Sequence, residues 1–292
     1  MRVLVTGAGG QLGSEVVGEF TRLGHEVIAP SRGELDFCYP DRVAARVGEL
    51  HPDWVINCAA YTQVDRAESE AAQAFTINRD SPGRLAETVA GYGGGLLQVS
   101  TDFVFDGKQS RPYREADAPH PLGVYGRSKR EGEQAVQAAL PAAIILRTAW
   151  VYGVHGRNFV KTILRQAIAG EPLRVVDDQT GAPTWARNIA AAIATLVRGG
   201  AGGLYHYTDA GSVSWYGLAT AILEVATQAG FEVRTTTVEP VTTAEYPTAA
   251  RRPLYSVLDT HKIQSLLASP IPHWRDSLSH MLRELHSCAN CW

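Results

Sequence analysis

The sequence predicts an α/β protein built on a doubly wound parallel sheet, because short apolar runs alternate with helical patterns through its first half. A glycine-rich turn follows the first run, and Ser100-Thr101-Asp102 ends the fourth; ligands bind at such strand ends in these sheets. The strand-like runs are residues 2–6, 25–29, 54–58, 95–100 and 143–147. Residues 1–150 are therefore expected to form one Rossmann-like domain.

The N-terminal glycine-rich turn predicts a dinucleotide site. The apolar run Val3-Leu4-Val5-Thr6 precedes Gly7-Ala8-Gly9-Gly10-Gln11-Leu12-Gly13, and a helical pattern follows. Gly7 permits a tight turn, Gly10 lets the backbone approach a pyrophosphate, and Gly13 lets the helix pack on the strand. The helix N-terminus offers free N–H groups to the phosphates. The spacing is GxxGxxG rather than GxGxxG, so the strand–turn–helix context supports the prediction more than the motif does.

The second and third strands indicate which cofactor binds. The second run ends in Pro30-Ser31-Arg32, and an arginine there suits the 2′-phosphate of NADPH, whereas an acid would hold the ribose of NAD. NADPH is therefore the expected cofactor, and NADH stays open as a second one. Asp36 and Phe37 are expected to border the adenine. Ala59 and Ala60, after the third strand, are small enough to pass close under a cofactor.

A tyrosine and a lysine four residues apart predict the site of proton transfer. Tyr125 and Lys129, in Tyr125-Gly126-Arg127-Ser128-Lys129, share one face at the start of a helical stretch. A phenol with a pKa of about 10 exchanges protons poorly near neutral pH, and a nearby ammonium lowers that pKa. Thr101, at the end of the fourth strand, can bind the same carbonyl oxygen. The set moves a proton to or from a carbonyl/alcohol pair.

Residues 151–292 are expected to form mainly a smaller substrate-binding lobe, partly interleaved with the first domain. Glycine- and proline-rich turns become frequent there, as in Gly181-Ala182-Pro183. The predicted helices are residues 156–169, 185–198, 214–229 and 273–286. The predicted short strands lie near residues 173–176, 204–207 and 233–238.

Composition narrows the function classes. The 292 residues are 45% hydrophobic and can bury a sizeable core. A net charge of -3 without a basic stripe argues against a nucleic-acid partner. The sequence opens directly on a strand-like run and contains no apolar stretch of about 18 residues. A cytoplasmic location without membrane contact is therefore expected.

The cysteines and histidines do not predict a metal site. Cys38 and Cys58 are isolated and fit small apolar positions in or beside the sheet. Cys288-Ala289-Asn290-Cys291 lies at the chain end, where a zinc site would need two further ligands and a redox motif would need a following helix. It is interpreted as a frayed tail. The histidines lack mutual spacing for metal binding.

Taken together, these segments resemble the extended short-chain dehydrogenase/reductase superfamily and, within it, the dTDP-4-dehydrorhamnose reductases. The Tyr/Lys pair and the glycine turn are common to the superfamily, whereas the other segments are more specific to these reductases. The resemblance covers nearly the whole chain. Besides the glycine turn and the Tyr/Lys segment, it is carried by residues 57–68, 100–107, 147–153, 178–184 and 251–253.

The resemblance implies reduction of the 4-keto group of dTDP-4-dehydro-β-L-rhamnose by NAD(P)H. It implies that Tyr125 donates the proton, that Lys129 lowers the pKa of Tyr125 and holds the nicotinamide ribose, and that Thr101 binds the carbonyl oxygen. The implied substrate-binding residues are Thr62, Val64, Thr101, Asp102, Phe103, Trp150 and Arg252. The implied cofactor-binding residues are Gly7, Gly10, Gln11, Leu12, Arg32, Asp36, Phe37, Ala59, Ala60, Tyr61, Tyr125 and Lys129. Either Arg251 or Arg252 could hold a diphosphate as a bidentate donor.

The sequence departs from the family at two places. Phe103 stands where members often carry tyrosine, so one hydroxyl contact to substrate is missing or replaced. Some members dimerise around Mg²⁺ held by acids near Glu15, but Arg187 disfavours a cation there. No metal is therefore predicted, and both a monomer and a homodimer stay open.

Three alternative functions are considered. A nucleotide-sugar dehydratase would need a second acid after Asp102, where Phe103 stands. A reductase of another nucleotide-linked 4-keto-deoxysugar would have nearly the same sequence. A non-catalytic NADP-binding subunit, like the related regulatory subunit of methionine adenosyltransferase, could have lost its catalytic residues, whereas Thr101, Tyr125 and Lys129 are all intact.

Overall fold

A computed structural model describes residues 1–200 and 202–288 of the chain. The strands are β1 (Arg2–Thr6), β2 (Glu26–Ile28), β3 (Trp54–Asn57), β4 (Gly95–Thr101), β5 (Ile144–Thr148), β6 (Val151–Tyr152), β7 (Leu173–Val176), β8 (Thr180–Gly181), β9 (Thr184–Trp185), β10 (Gly203–His206), β11 (Val213–Ser214) and β12 (Val238–Val241). The α-helices are α1 (Gln11–Arg22), α2 (Pro40–Leu50), α3 (Val64–Ala67), α4 (Ala71–Phe75), α5 (Ser81–Tyr92), α6 (Val124–Ala139), α7 (Phe159–Ala169), α8 (Ala186–Gly199), α9 (Trp215–Gln228), α10 (His261–Gln264) and α11 (Trp274–Ser287). A π-helix spans Thr76–Asp80 and a 3₁₀ turn spans Asp102–Val104.

The central sheet has six parallel strands in the order β10-β5-β4-β3-β1-β2. Val3, Leu4 and Val5 of β1 are fully buried, as expected for a strand covered by helices on both faces. The chain order reverses between β1 and its neighbours β2 and β3, and this switch point is where such sheets bind ligands. The predicted α/β class and all five predicted strands of the first half are confirmed.

Helices cover both faces of the sheet. α1 and α8 pack on one face around Val16, Phe20 and Ile193, whereas α2, α5 and α6 pack on the other around Val43 and Leu85. A third apolar cluster joins α7, α9 and α11. The sheet therefore holds the carboxyl ends of β1, β3 and β4 at one edge, which is the edge where the predicted site residues lie.

Two segments after residue 150 belong to the layers of the first half. β10 pairs with β5, Gly203 opposite Ile144, and α8 packs against α1. The substrate lobe predicted for residues 151–292 is thus interleaved with the sheet at these points, and the boundary near residue 150 stays a prediction.

The prediction of a short strand near residues 233–238 is wrong. The strand there is β12, which begins at Val238 and pairs with β7. The preceding residues are drawn to the end of α7 instead: the N–H groups of Arg234 and Thr235 both donate to Ala167 O at 3.0 Å. They satisfy a helix C-terminal carbonyl rather than a strand partner.

Among the described residues, no helix combines the length and the apolar character needed to cross a lipid bilayer. The expectation for Cys288-Ala289-Asn290-Cys291 rests on residues 289–292, which lie outside the described part of the chain.

Candidate active site

The glycine turn packs directly against the residues that follow β3. Gly7 has φ +65°, and a Cβ there would lie 2.8 Å from Ala59 N. A Cβ on Gly13 would lie 2.1 Å from Gly7 O, so only glycine lets α1 start this close to β1. Above Gly9, by contrast, nothing lies within 4 Å of a Cβ position. The turn is therefore tightly packed at Gly7 and Gly13, whereas Gly9 has open space beside it.

Gln11 and Leu12 begin α1, so their N–H groups have no acceptor within the helix and can serve a phosphate. The Leu12 side chain is buried in the core, and the Gln11 side-chain oxygen accepts a hydrogen bond from Asn158 Nδ2 at 2.9 Å. Gln11 and Leu12 are therefore predicted to contact the cofactor through their backbone N–H groups and not through their side chains.

A buried polar network supports the third strand beside this turn. Thr6 Oγ1 donates to Asn57 Oδ1 at 2.5 Å, and Asn57 Nδ2 donates to Gln98 Oε1 at 2.6 Å. Ala59 N donates to Asn57 Oδ1 at 3.2 Å, which fixes the backbone at the predicted position of Ala59 and Ala60. The backbone there is held in place independently of any ligand.

Tyr61 is anchored at both ends. Its N–H donates to Asn78 Oδ1 at 2.9 Å, and its hydroxyl donates to the carboxylate of Glu70. Asn78 also donates to Ser128 Oγ at 3.0 Å on α6. Sequence reasoning missed Asn78, since nothing in the linear pattern shows that a π-helix brings it beside two predicted site segments.

The region after β2 is a shallow pocket of about 230 Å³. Arg32 is 76% exposed there, with its Nε 3.9 Å from Asp36 Oδ1. Asp36 Oδ1 accepts a hydrogen bond from Cys38 N at 2.9 Å, and this backbone bond contributes most to lowering the pKa of Asp36. Phe37 is buried in the core, so it supports this loop from below. Asp36 lines the pocket, and the exposed Arg32 guanidinium lies beside it, accessible to an anionic group.

Tyr125 and Lys129 lie on α6, opposite the end of β4. A Cβ on Gly126 would lie 2.2 Å from Phe103 O, so glycine allows the first turn of α6 to touch the turn after Thr101. Glu68 Oε1 accepts a hydrogen bond from Val124 N at 2.8 Å and caps the helix from α3's end. Sequence reasoning missed this cap because its acceptor is distant in the chain. The structure thus brings Thr101, Tyr125 and Lys129 together.

The phenol of Tyr125 has a raised pKa. Desolvation raises the pKa of Tyr125 to about 12, the hydrogen bond with Thr101 lowers it, and the charge of Asp102 raises it. Desolvation therefore dominates the pKa of Tyr125, and the lowering effect expected of Lys129 stays a prediction. At neutral pH the phenol keeps its proton, which suits a proton donor.

Lys129 is 4% exposed, and its Nζ donates to Val99 O at 2.7 Å. Burial lowers the pKa of Lys129 to about 8, while the charge of Glu133 raises it. The ammonium form predominates at neutral pH and has further N–H donors for a ligand.

Thr101 and its neighbours are closely tied together. Thr101 Oγ1 donates to Asp102 Oδ1 at 3.1 Å and accepts from Phe103 N at 3.2 Å. Asp102 is 1% exposed, and burial raises its pKa to about 6. The Asp102 carboxyl orients Thr101 from within the protein. Phe103 meets the Tyr125 ring edge-on, with ring centroids 5.6 Å apart.

Trp150 has a strained backbone and a stacked ring. Its φ is +45°, and its indole lies flat on Trp215 with ring centroids 3.5 Å apart. A Cβ on Gly181 would lie 2.4 Å from the Trp150 ring, so only glycine fits at this position of the segment 178–184. Holding a bulky residue at positive φ is costly and is typical of functional sites. Trp215 was not predicted.

The remaining substrate candidates border the start of α3. Thr62 is exposed and Val64 is half-buried. Arg252 makes a bidentate ion pair with Asp65, at 2.7 and 3.2 Å, whereas Arg251 is exposed. The sequence left open which arginine could bind a diphosphate; in the structure Arg252 is held by Asp65, whereas Arg251 faces solvent.

The acids near Glu15 are neutralised from within the chain. Arg187 Nε lies 3.1 Å from Glu15 Oε2, and its two terminal nitrogens lie 2.6 Å from the carboxylate of Glu284. The described residues contain no group of three or more His, Cys, Asp and Glu side chains arranged for a metal ion. The donor set present at Glu15 thus does not fit a divalent cation, since a guanidinium stands among the acids.

The fold and the arrangement of Thr101, Tyr125 and Lys129 define an enzyme of the extended short-chain dehydrogenase/reductase class. The family described as RmlD substrate binding domain matches residues 1–287. The dTDP-4-dehydrorhamnose reductase of Aggregatibacter actinomycetemcomitans is 42% identical over 287 residues, which cover 96% of this chain and 98% of that protein. The chain belongs to this family, which confirms the predicted resemblance.

Two further relatives inform the cofactor and the substrate class. The crystal structure of dTDP-4-dehydrorhamnose reductase from Bacillus anthracis in complex with NADP has a TM-score of 0.91 and 35% identity, covering 97% of this chain and 99% of that chain. A probable dTDP-4,6-dihydroxy-2-methyloxan-3-one 4-ketoreductase of Streptomyces antibioticus is 41% identical, covering 95% of this chain and 93% of that protein.

Proposed function

We propose that this protein reduces the 4-keto group of dTDP-4-dehydro-β-L-rhamnose to the alcohol of dTDP-L-rhamnose, using NADPH. The observation that carries the proposal is the grouping at the end of β4, where Tyr125 hydrogen-bonds Thr101 and Lys129, one turn further along α6, donates to Val99 O. The relatives named above support the substrate, and the NADP-bound relative supports the cofactor.

The residues of the glycine turn fit a dinucleotide. Gly9 leaves open space beside the turn, α1 presents unpaired N–H groups, and Arg32, after β2, is exposed and could bind a 2′-phosphate. When bound, NADPH supplies the hydride that adds to the keto carbon. Lys129 donates to the nicotinamide ribose and keeps a positive charge near the reacting oxygen.

Tyr125 completes the reduction by giving its proton to the oxygen of the former carbonyl. A proton donor must be protonated before the step, and a pKa of about 12 ensures that at neutral pH. The negative charge then left on the phenol lies near the Lys129 ammonium, which stabilises it. Thr101 binds the same oxygen when its hydroxyl turns its single proton from Asp102 to that oxygen, while Phe103 N continues to hold Thr101 Oγ1 in place.

Trp150 is proposed to form the apolar platform for the sugar ring. Its indole stacks on Trp215 and packs closely against Gly181, so it is a rigidly held apolar surface. Thr62, Val64 and Phe103 are proposed to line the same pocket. Arg251, which is exposed, is the better placed of the two arginines for the diphosphate, since Arg252 is paired with Asp65.

The test is NADPH consumption with dTDP-4-dehydrorhamnose generated in place, followed by loss of the nicotinamide absorbance and by identification of the product. Rapid consumption with dTDP-rhamnose as product is expected. Unchanged NADPH in the presence of the keto sugar, despite measured NADPH binding, would contradict the proposed substrate. A reaction lacking the keto sugar serves as the blank.

A second candidate is reduction of another dTDP-linked keto-deoxysugar. It is favoured by the 41% identical probable ketoreductase of Streptomyces antibioticus, which is named for a different dTDP-sugar ketone, and by Phe103 in place of the tyrosine that family members often carry. Comparison of kcat/KM for the two keto sugars decides between the candidates, since only the preferred one is reduced efficiently.

A further inference from the structure

One face of α6 carries three chemically different side chains at intervals of four residues. They are Tyr125, Lys129 and Glu133, and such spacing places them in a column along the helix. The column runs beside β4: Lys129 Nζ donates to Val99 O at 2.7 Å, and Glu133 Oε1 accepts from Ser100 Oγ at 2.6 Å. The third member, Glu133, has no part in the proposed chemistry.

Glu133 is held by a buried ion pair. Arg147 Nε donates to Glu133 Oε1 and Arg147 Nη2 donates to Oε2, each at 2.7 Å, and both side chains are 1% exposed. Ser100 and Arg147 are register partners on β4 and β5. Arg130 adds a contact at 2.8 Å from the rim. The carboxylate is thus fixed to two strands and cannot move without leaving Arg147 uncompensated.

The surroundings of Lys129 contain few charges that act on it. The charged or titratable groups on the elements packed against α6 are Asp65 and Arg66 of α3, Arg79 and Asp80 of the π-helix, Arg84, Glu87 and Tyr92 of α5, Asp102 of the 3₁₀ turn, Arg147 of β5 and Cys58 beyond β3. Among these and the groups of α6 itself, Glu133 and Cys58 act on the charge of Lys129. The Cys58 thiol has a pKa raised to about 12 by burial, so it is neutral, and among the groups just named Glu133 is therefore the charged one that acts on Lys129.

We propose that Glu133 is a positioning residue for the proposed reduction: clamped by Arg147 and Ser100, it sets the register of α6 on β4 and supplies the buried counter-charge of the Lys129 ammonium. The proposal rests on the assigned cofactor role of Lys129. It goes beyond that role by naming what keeps the ammonium charged in a nearly solvent-free position.

NADPH affinity as a function of pH tests the proposal without any sugar substrate. Because the ammonium is the form that donates to the ribose, affinity falls as pH rises through the pKa of Lys129, which is about 8. Removing the counter-charge in E133Q favours the neutral amine, so this loss of affinity is expected about one pH unit lower. Fluorescence of bound NADPH gives the dissociation constant at each pH.

The variant R147M separates the counter-charge from the clamp. E133Q and R147M break the same ion pair, but R147M keeps the carboxylate, which Arg130 still contacts. R147M is therefore expected to show no shift to lower pH. E131Q is the matched control, because Glu131 is a carboxylate of the same helix that is 42% exposed and pairs with Arg79.

Equal shifts in E133Q and R147M, or no shift in E133Q, would overturn the proposal. If E133Q does not fold, E133L/R147M replaces both buried charges by apolar groups, which folded proteins often tolerate, and the same shift to lower pH is expected. Normal NADPH titrations with no turnover of the keto sugar would contradict the proposed substrate and leave this inference standing.

Discussion

At the scale of single residues, the site depends on which protonation states burial favours. The phenol of Tyr125 is held as a neutral donor, Lys129 stays charged up to a pH of about 8, and Asp102 titrates near 6 under the Thr101 hydroxyl. Reduction needs a proton donor and a cation together. These two groups provide both at neutral pH: desolvation keeps the phenol neutral, and although it also lowers the pKa of Lys129, the charge of Glu133 raises that pKa, which stays at about 8.

Tyr125→Phe is expected to lower kcat by about 10²- to 10⁴-fold, the usual contribution of a positioned acid, with NADPH affinity unchanged. The phenyl ring keeps its packing against Phe103, so the helix stays in place. Turnover and fluorescence titration measure the two effects. Tyr246→Phe is the matched control, since Tyr246 is 52% exposed and should retain full activity. A parallel loss of NADPH binding in Tyr125→Phe would contradict the assigned role.

At the scale of elements, glycines determine how closely the site segments approach. Gly13 lets α1 start on the carbonyl of Gly7, and Gly126 lets α6 touch the carbonyl of Phe103. Each close approach brings a functional backbone or side chain to the same strand ends. The arrangement of the site segments therefore depends on glycines, which have no side chain, as much as on the polar residues.

Gly13→Ala is expected to destabilise the protein by about 1–3 kcal/mol and to weaken NADPH binding, because its Cβ would lie 2.1 Å from Gly7 O. Gly18→Ala, on the same helix with nothing within 4 Å of its Cβ, should stabilise by roughly 0.5–1 kcal/mol. Urea unfolding and NADPH titration measure both. Similar behaviour of the two variants would show that the turn adapts to a side chain.

The sequence allowed the strands of the first half to be predicted because each is a short, mainly apolar run that alternates with a helical pattern, as parallel strands covered by helices do. It did not reveal that β10 completes the sheet beyond β5, since a strand's neighbours depend on tertiary pairing rather than local pattern. Tyr125 and Lys129 were visible because both lie within one helix turn. Asn78, Glu68 and Glu133 act on partners far along the chain, so no local spacing indicates their roles.

At the scale of the whole molecule, buried polar groups join the site to the far edge of the sheet. Arg147 of β5 links Glu133 on α6 to His206 on β10, with Arg147 Nη1 3.4 Å from His206 Nε2. His206 Nδ1 also lies 3.1 Å from Tyr113 O. The edge strand β10 and the segment around Tyr113 are thus tied to α6, the helix that carries Tyr125 and Lys129.

This link predicts how stability depends on pH. Burial, followed by the charge of Arg147, lowers the pKa of His206 from 6.5 to about 3. Between pH 6.5 and about 3, His206 therefore binds a proton in the unfolded chain but not in the folded protein. His206's contribution to stability is present above pH 6.5 and is lost as pH falls toward 3, by at most about 1.4 kcal/mol per pH unit.

His206→Gln should remove this term, so the unfolding free energy of the variant is expected to fall less steeply than that of the wild type between pH 6.5 and 5. The comparison uses slopes because glutamine also changes the contacts with Tyr113 and Arg147, which lowers stability at every pH. His120→Gln, at an exposed position, should keep the wild-type slope. Parallel curves for the wild type and His206→Gln would mean that His206 accepts a proton in the folded protein, and that Arg147 does not keep the imidazole neutral.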